Sequence, residues 1–198
     1  FEWMPDGQSL LVSTIVEGRG PEPARPRAPK GPVVQETAGA EAASRTYQDL
    51  LENPYDELLY EYYTTVQLQR IDLNGKATKV GQPDIIKGYD VSPDGKYLLV
   101  EIIQKPFSYL VPASRFPFTY EVWDASGNMV KLLAEIPLDE VRPKGFDATR
   151  MGMRNVNWRA DRPATLYWAE ANDGGDPAMK TQERDIVYMQ SAPFNAQP

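Results

Sequence analysis

The chain has 198 residues, 41% of them hydrophobic and 11% aromatic, which is typical of a folded protein with a sizeable core. The net charge of −7 argues against non-specific binding to nucleic acid or to an anionic membrane, and no apolar run approaches the roughly 18 residues of a membrane span. Cysteine and histidine are absent, which excludes disulfides, the common zinc sites and any His-dependent catalytic group built from this chain alone. We therefore expect no cofactor, no metal site and no catalytic residue here.

The first predicted element is a β-hairpin whose turn is Pro5-Asp6-Gly7 and whose second strand starts at Leu10. Proline presets the first turn position, aspartate caps the turn, and glycine supplies the conformation that closes it. The same motif recurs 88 residues later as Pro93-Asp94-Gly95. A third copy, which lacks the Pro-Asp-Gly turn, follows from Trp158 to Tyr167. Repetition of one strand-turn-strand unit predicts an array of similar units.

A long insertion, residues 17–65, follows the first hairpin. Its segment Gly18 to Pro32 carries five prolines and four basic residues, which is typical of an extended, polyproline-like stretch. Two interpretations stay open, a solvated loop and an arm laid over a partner domain.

The second part of the insertion predicts a short helix. Tyr47, Leu50 and Leu51 share a helical face, which we expect Asn53-Pro54 to end, and the same spacing returns at Leu58, Leu59 and Tyr62. Carboxylates alternate with this face. Paired carboxylates can carry out acid–base chemistry, but a solvated helix face explains these ones more simply.

A second hairpin follows each of the first two copies. Asn74-Gly75 and Ser126-Gly127 are hairpin turn signals 52 residues apart, with return strands from Lys76 and from Met129. Two consecutive hairpins make four antiparallel strands, which is one propeller blade. The third copy has one hairpin and one further predicted strand, Asp185 to Gln190.

These repeats predict an all-β fold, a partial β-propeller of four-stranded antiparallel blades with about two complete blades and most of a third. We expect the first blade at residues 1–81, with a short helical insertion within 17–65, the second at 82–140 and an incomplete third at 150–198. Because closed propellers have about 4–8 blades and Phe1 is not an initiator, we expect a piece of a longer protein. Unpaired edges and apolar blade faces favour self-association of the isolated chain.

Three long and idiosyncratic strings carry a resemblance to a known family: residues 45–63 (RTYQDLLENPYDELLYEYY), 105–117 (KPFSYLVPASRFP) and 158–171 (WRADRPATLYWAEA) with Asp173–Asp176. They resemble the propeller half of the glutamyl endopeptidase branch of the prolyl oligopeptidase family, and the resemblance covers nearly the whole chain. In that family the propeller caps an α/β-hydrolase domain with a Ser-Asp-His triad, and the branch is named for cleavage after glutamate. The resemblance implies a non-catalytic segment that screens peptide substrates and covers the active site of that domain, which belongs to the same parent chain.

A substrate glutamate needs a cation, best an arginine fork on a rigid element. Arg150 and Arg154 are candidates because they stand in the link between the second and third blades, and loops on a rigid scaffold are where recognition residues sit. Arg115, in the second resembling string, is a third candidate. The alternative is that each arginine pairs with a nearby acid such as Asp147 or Asp161.

The alternative function is a free-standing binding or scaffold propeller without peptidase activity, because such propellers use the same Ser-Pro-Asp-Gly hairpins. A downstream G-x-S-x-G elbow followed by Asp and His would indicate the peptidase, and further blades would indicate the binding module. The compartment stays open, with a periplasmic or secreted location expected for a bacterial parent.

Overall fold

The computed structural model describes residues 1–26 and 47–198, which form three antiparallel sheets. The first sheet contains β1 (Glu2–Trp3), β2 (Ser9–Ile15), β3 (Val66–Asp72) and β4 (Ala77–Asp84). The second contains β5 (Ile86–Val91), β6 (Tyr97–Ile103), β7 (Phe118–Asp124) and β8 (Met129–Ile136). The third contains β9 (Arg154–Trp158), β10 (Thr165–Ala171) and β11 (Asp185–Ser191). Strands neighbour one another in sequence order, which confirms the predicted partial β-propeller of antiparallel blades.

The repeated turns occupy equivalent places in the first two sheets. The Gly7 N–H donates to the Met4 carbonyl at 2.9 Å, and the Gly95 N–H donates to the Ser92 carbonyl at 2.8 Å. In the second hairpins, Asp72 and Asp124 each accept backbone N–H bonds from the residues two and four positions later. The local turn chemistry read from the sequence therefore forms the same structure twice.

The hydrophobic core lies between neighbouring sheets. On β6, Leu98, Val100 and Ile102 pack with residues of the first sheet, whereas Leu99 and Ile103 pack with residues of the third. Alternate side chains of a strand point to opposite faces, so a strand buried on both faces is expected in a blade with a neighbour on each side. The second sheet is thus the middle blade of the three.

The helix α1 (Pro54–Thr64) begins where the sequence predicted a helical end. The Asn53 side chain accepts hydrogen bonds from the N–H groups of Tyr55 (2.9 Å) and Asp56 (3.2 Å), so it caps the helix, and residues 47–53 are not helical. The expectation that Asn53-Pro54 stops a helix was wrong because asparagine is a preferred N-cap and proline suits the first helical position. In the described ranges, no helix is long and apolar enough to cross a membrane.

The described part of the proline-rich segment lies on α1 of its own chain. The Tyr62 hydroxyl donates to the Gly20 carbonyl at 3.0 Å, and the Tyr55 hydroxyl donates to the Pro23 carbonyl at 3.1 Å. The predicted loop or arm continues through residues 27–32, which lie outside the described residues. Up to residue 23, the segment therefore contacts a helix of the same insertion.

Short hairpin turns and long connections between strands lie at opposite ends of the sheets. Antiparallel strands reverse direction at each connection, so successive connections lie at alternate ends. The hairpin turns lie at one end. The opposite end, called the loop-rich end below, carries the long connections, which are residues 104–117, 137–153, 172–184 and the described parts of 16–65.

Candidate functional site

A cleft of about 490 Å³ opens at the loop-rich end between the second and third sheets. Its walls come from the parts of β5, β6, β7 and β9 nearest that end and from the connections 104–117 and 137–153. The first strands of the two sheets, β5 and β9, approach each other beside it. The cleft therefore lies where two blades converge, on a rigid frame with loops around its mouth.

Cations outnumber carboxylates in the cleft. Its acidic residues are Glu101 and Asp139, and its basic residues are Lys87, Arg115, Arg142, Arg150 and Arg154. The whole chain carries a net charge of −7, so this concentration of positive charge is local. A concave site with one sign of charge and low-dielectric walls attracts ligands of the opposite sign.

Two of the cations are compensated by the acids of the cleft itself. Arg142 Nε donates to both carboxylate oxygens of the buried Asp139, at 3.0 and 2.7 Å, which raises the pKa of Arg142 above its ordinary value. Lys87 Nζ lies 2.8 Å from the Glu101 carboxylate and 3.6 Å from the centre of the Phe118 ring. These pairs shape the wall of the cleft and leave little charge for a ligand.

The charge of Arg154 is neutralised by a carboxylate that lies outside the cleft. It is the first residue of β9, not part of the link, and its register partner is Ala169, whereas Asn157 pairs with Tyr167. One extra residue on β9 therefore forms a bulge at Asn155, whose φ is 53°, a conformation that asparagine tolerates.

The bulge turns Arg154 to the face of the third sheet that carries Asp185, with which its guanidinium forms an ion pair. Part of the side chain still lines the cleft, and the buried Nε atom has no hydrogen-bond partner among the described residues. The charge of Arg154 is therefore largely neutralised by Asp185, and its Nε atom remains as a free hydrogen-bond donor among the described residues.

Arg150 has no carboxylate within ion-pair distance in the described part of the chain. Its Nη1 donates to the Met151 carbonyl at 3.1 Å, and its Cζ atom lies 5.5 Å from the centre of the Phe118 ring. Burial lowers the pKa of Arg150. Tyr120 and Asp139 act against this effect, and the charges of Arg142 and Arg154 add to it. A partly desolvated guanidinium beside other cations gains strongly from an incoming carboxylate.

Arg115 also lacks a carboxylate partner among residues 1–26 and 47–198. It ends a short 3-10 helix (Ala113–Arg115), and its Cζ atom lies 5.4 Å from the centre of the Tyr47 ring. All three arginines predicted from the sequence therefore line one cleft. The acids suggested as their partners are engaged elsewhere, because Asp147 pairs with Arg184 and Asp161 pairs with Arg159.

Sequence reasoning missed the remaining charged residues of the cleft and Tyr120. Burial and the charge of Glu101 raise the pKa of Tyr120 to about 12, against the effect of Arg150. The signal that could have found Lys87, Glu101 and Tyr120 is their position, because each lies within three residues of a strand end at the loop-rich end. Polar side chains at such strand ends can reach a common site.

No family model matches the chain. Over 193 residues, which is 97% of the chain, it is 46% identical to a protein of Arabidopsis thaliana named "Probable glutamyl endopeptidase, chloroplastic". Over 199 aligned residues it is 41% identical to a protein of the same name from Oryza sativa subsp. japonica, with 100% of the chain covered. The aligned regions make up 20% and 21% of those proteins. The chain therefore spans about a fifth of the length of these curated relatives and is similar to one segment of proteins named glutamyl endopeptidase.

Proposed function

We propose that this chain is the non-catalytic propeller segment of a glutamyl endopeptidase-like serine peptidase of the prolyl oligopeptidase family. In this proposal it screens peptide substrates and covers the active site of an α/β-hydrolase domain of the same parent chain. The identity to two proteins of that name along nearly all of this chain supports the peptidase assignment. Since the chain has no histidine, a Ser-Asp-His triad has to be supplied by another part of the parent.

The cation-rich cleft is the single observation that carries the screening role. A peptide with a glutamate side chain brings a carboxylate, and the cleft offers guanidinium groups on the frame of two blades. The molecule as a whole is acidic, so an anionic peptide gains favourable electrostatics at this cleft rather than over the surface in general.

Among the candidate arginines, Arg150 is the best reader of the substrate charge. Arg154 is paired with Asp185, whereas the guanidinium of Arg150 lies beside a backbone carbonyl, the Phe118 ring and the Tyr120 hydroxyl and has no carboxylate within ion-pair distance among the described residues. A charge-assisted hydrogen bond between Arg150 and a substrate glutamate contributes about 1.5–3 kcal/mol. A glutamine side chain has the same shape and lacks the charge.

The test is Arg150→Met in the complete protein, with matched peptides that carry glutamate or glutamine at the cleaved position. We expect kcat/KM for the glutamate peptide to fall roughly 10–100-fold, with a much smaller loss for the glutamine peptide. Arg159→Met is the matched control, because Arg159 pairs with Asp161 in a turn at the end opposite the loop-rich end. An equal loss for both peptides together with a lower melting temperature would assign Arg150 a structural role instead.

The same assay separates the peptidase from a free-standing binding propeller. Hydrolysis of glutamate peptides by the complete protein, blocked by a serine-directed reagent, supports the proposal. Peptide binding without hydrolysis would support the binding propeller.

A further inference from the structure

We infer that the cleft contains two anion subsites, so that its preferred ligand is a peptide with two acidic side chains instead of one. Arg150 forms the first subsite and Arg115 the second. The inference rests on the proposed function, because it takes a peptide as the ligand.

The charge balance of the cleft supports two anion subsites. Three of its five cations already have carboxylate partners, since Lys87 pairs with Glu101, Arg142 with Asp139 and Arg154 with Asp185. The remaining two, Arg115 and Arg150, have none within ion-pair distance among the described residues. One substrate carboxylate can neutralise one of them and leaves the other uncompensated.

The acids already present in the cleft cannot take the place of a second ligand charge. Asp139 is the nearest such acid, because its N–H donates to the Arg115 carbonyl at 3.1 Å. Its carboxylate, however, is buried and bound by the guanidinium of Arg142. The ion pair of Asp139 is therefore with Arg142. The Asp139 charge also acts on Arg150 from a longer distance, but neither Arg115 nor Arg150 has a carboxylate of its own among the described residues, so both can bind one from a ligand.

The two guanidiniums are carried by different elements and stand against different aromatic rings. Arg115 belongs to the connection 104–117 and lies beside Tyr47, whereas Arg150 belongs to the connection 137–153 and lies beside Phe118. The cavity of about 490 Å³ is within the usual range for small-ligand sites and exceeds the needs of one carboxylate side chain. A short peptide strand with two acidic side chains matches this arrangement of charge and space.

The test is hydrolysis of a peptide series by the complete protein. Each peptide has glutamate at the cleaved position, and a second glutamate is moved through the neighbouring positions, with a glutamine peptide as the partner at each one. At one position the second glutamate should raise kcat/KM about tenfold over its glutamine partner. Arg115→Met should remove this gain and keep the glutamate preference at the cleaved position. Arg150→Met should do the reverse, and Arg159→Met should keep both preferences.

Failure of the inference is distinguishable from failure of the proposed function. If no position shows a gain, or if the gain survives Arg115→Met, the second subsite is refuted, whatever happens at the cleaved position. If Arg150→Met leaves the preference for glutamate over glutamine at the cleaved position intact, the screening role of Arg150 is refuted. Should Arg115→Met fail to fold, Arg115→Lys keeps the charge without the planar fork and should retain only part of the gain. The absence of a gain in the wild-type peptide comparison would refute the second subsite without any variant.

Discussion

Tyr120 gives the wall of the cleft a titratable group that stays neutral far into the alkaline range. Burial raises the pKa of its hydroxyl to about 12, with the charge of Glu101 adding to the effect. In the unfolded chain the pKa returns to the ordinary tyrosine value of about 10. The folded state therefore holds the proton more tightly, and the resulting stability is complete below pH 10 and is lost as the pH rises toward 12.

We predict that Tyr120→Phe reduces this loss of stability at high pH. Between pH 9 and pH 12, the free energy of unfolding of the wild type should fall by up to about 2–3 kcal/mol more than that of the variant. Denaturant unfolding across this pH range measures the difference. Parallel pH curves for the two proteins would show that the tyrosine does not titrate differently in the folded state.

Residue identities in the cleft were partly predictable. Arg115, Arg150 and Arg154 were candidates because they stand near predicted loops, and all three line the cleft. The pairing of Arg154 with Asp185 could not be predicted, because it depends on the bulge at Asn155 and on the register between β9 and β10. Those are properties of strands already paired, and no local sequence pattern encodes them.

At the scale of elements, the Asn74-Gly75 and Ser126-Gly127 turns occupy equivalent positions in their hairpins but have different surroundings. Gly75 has φ of 82° and Gly127 has φ of 89°, in equivalent turns of the first and second sheets. A Cβ atom on Gly75 would meet nothing within 4 Å, whereas one on Gly127 would lie 1.9 Å from the backbone nitrogen of Gly81. The second turn is pressed against β4 of the neighbouring blade.

We predict that Gly75→Ala and Gly127→Ala differ in cost. Gly75→Ala should cost only the strain of a positive φ, about 1–2 kcal/mol. Gly127→Ala should cost about 2 kcal/mol or more beyond that, since backbone atoms of β4 would have to move. Thermal or denaturant unfolding of the two variants measures the costs. Equal losses of stability in the two variants would mean that the backbone of β4 can move away from the turn at no cost in free energy.

The elements themselves show why some boundaries were predictable and others were not. Turns such as Asp72 to Lys76 are closed by local hydrogen bonds, so the sequence predicts them directly. Asn53-Pro54 suits both a helix start and a helix stop. Tertiary packing supports the start, because Tyr60 of α1 packs edge-on against Phe107 and Phe116 of the second blade.

At the scale of the whole molecule, the third sheet presents an exposed apolar patch on the face that also carries the Arg154–Asp185 ion pair. Val187 is 63% exposed, Met189 is 49% exposed, and Tyr167, the register partner of Met189, lies on the same face. Exposed apolar residues on a sheet with an unpaired edge are sites of association.

We predict that the isolated 198-residue chain self-associates and that Val187→Lys combined with Met189→Lys reduces the association. Static light scattering over a concentration series is the measurement. Leu73→Lys is the matched control, because Leu73 is 64% exposed in a turn of the first sheet, away from this face. A compact monomer at every concentration would contradict the prediction.

The fold of the whole molecule was more predictable than its cleft. The blades follow from turn motifs that recur in the sequence, and alternating apolar residues fix which faces they bury. The cleft arises only when β5 and β9 come together and bring Lys87 near Asn157, and these two residues are 70 positions apart in the sequence. Long-range convergence of this kind is a result of packing and leaves no periodic signal.

The separation of short turns from long connections has a consequence for how this scaffold can change. Contacts such as the bond from the Asp94 N–H to the Pro163 carbonyl, 2.9 Å long, join neighbouring blades through the turns and are independent of the connections at the far end. Changes at exposed positions of 104–117 and 137–153 can therefore alter the lining of the cleft without touching these contacts, whereas Phe107 and Phe116 of the first connection pack into the core between the blades and belong to the frame. An engineer could change the cleft through the exposed residues of these two segments, provided that the buried Val111 and Phe116 are kept.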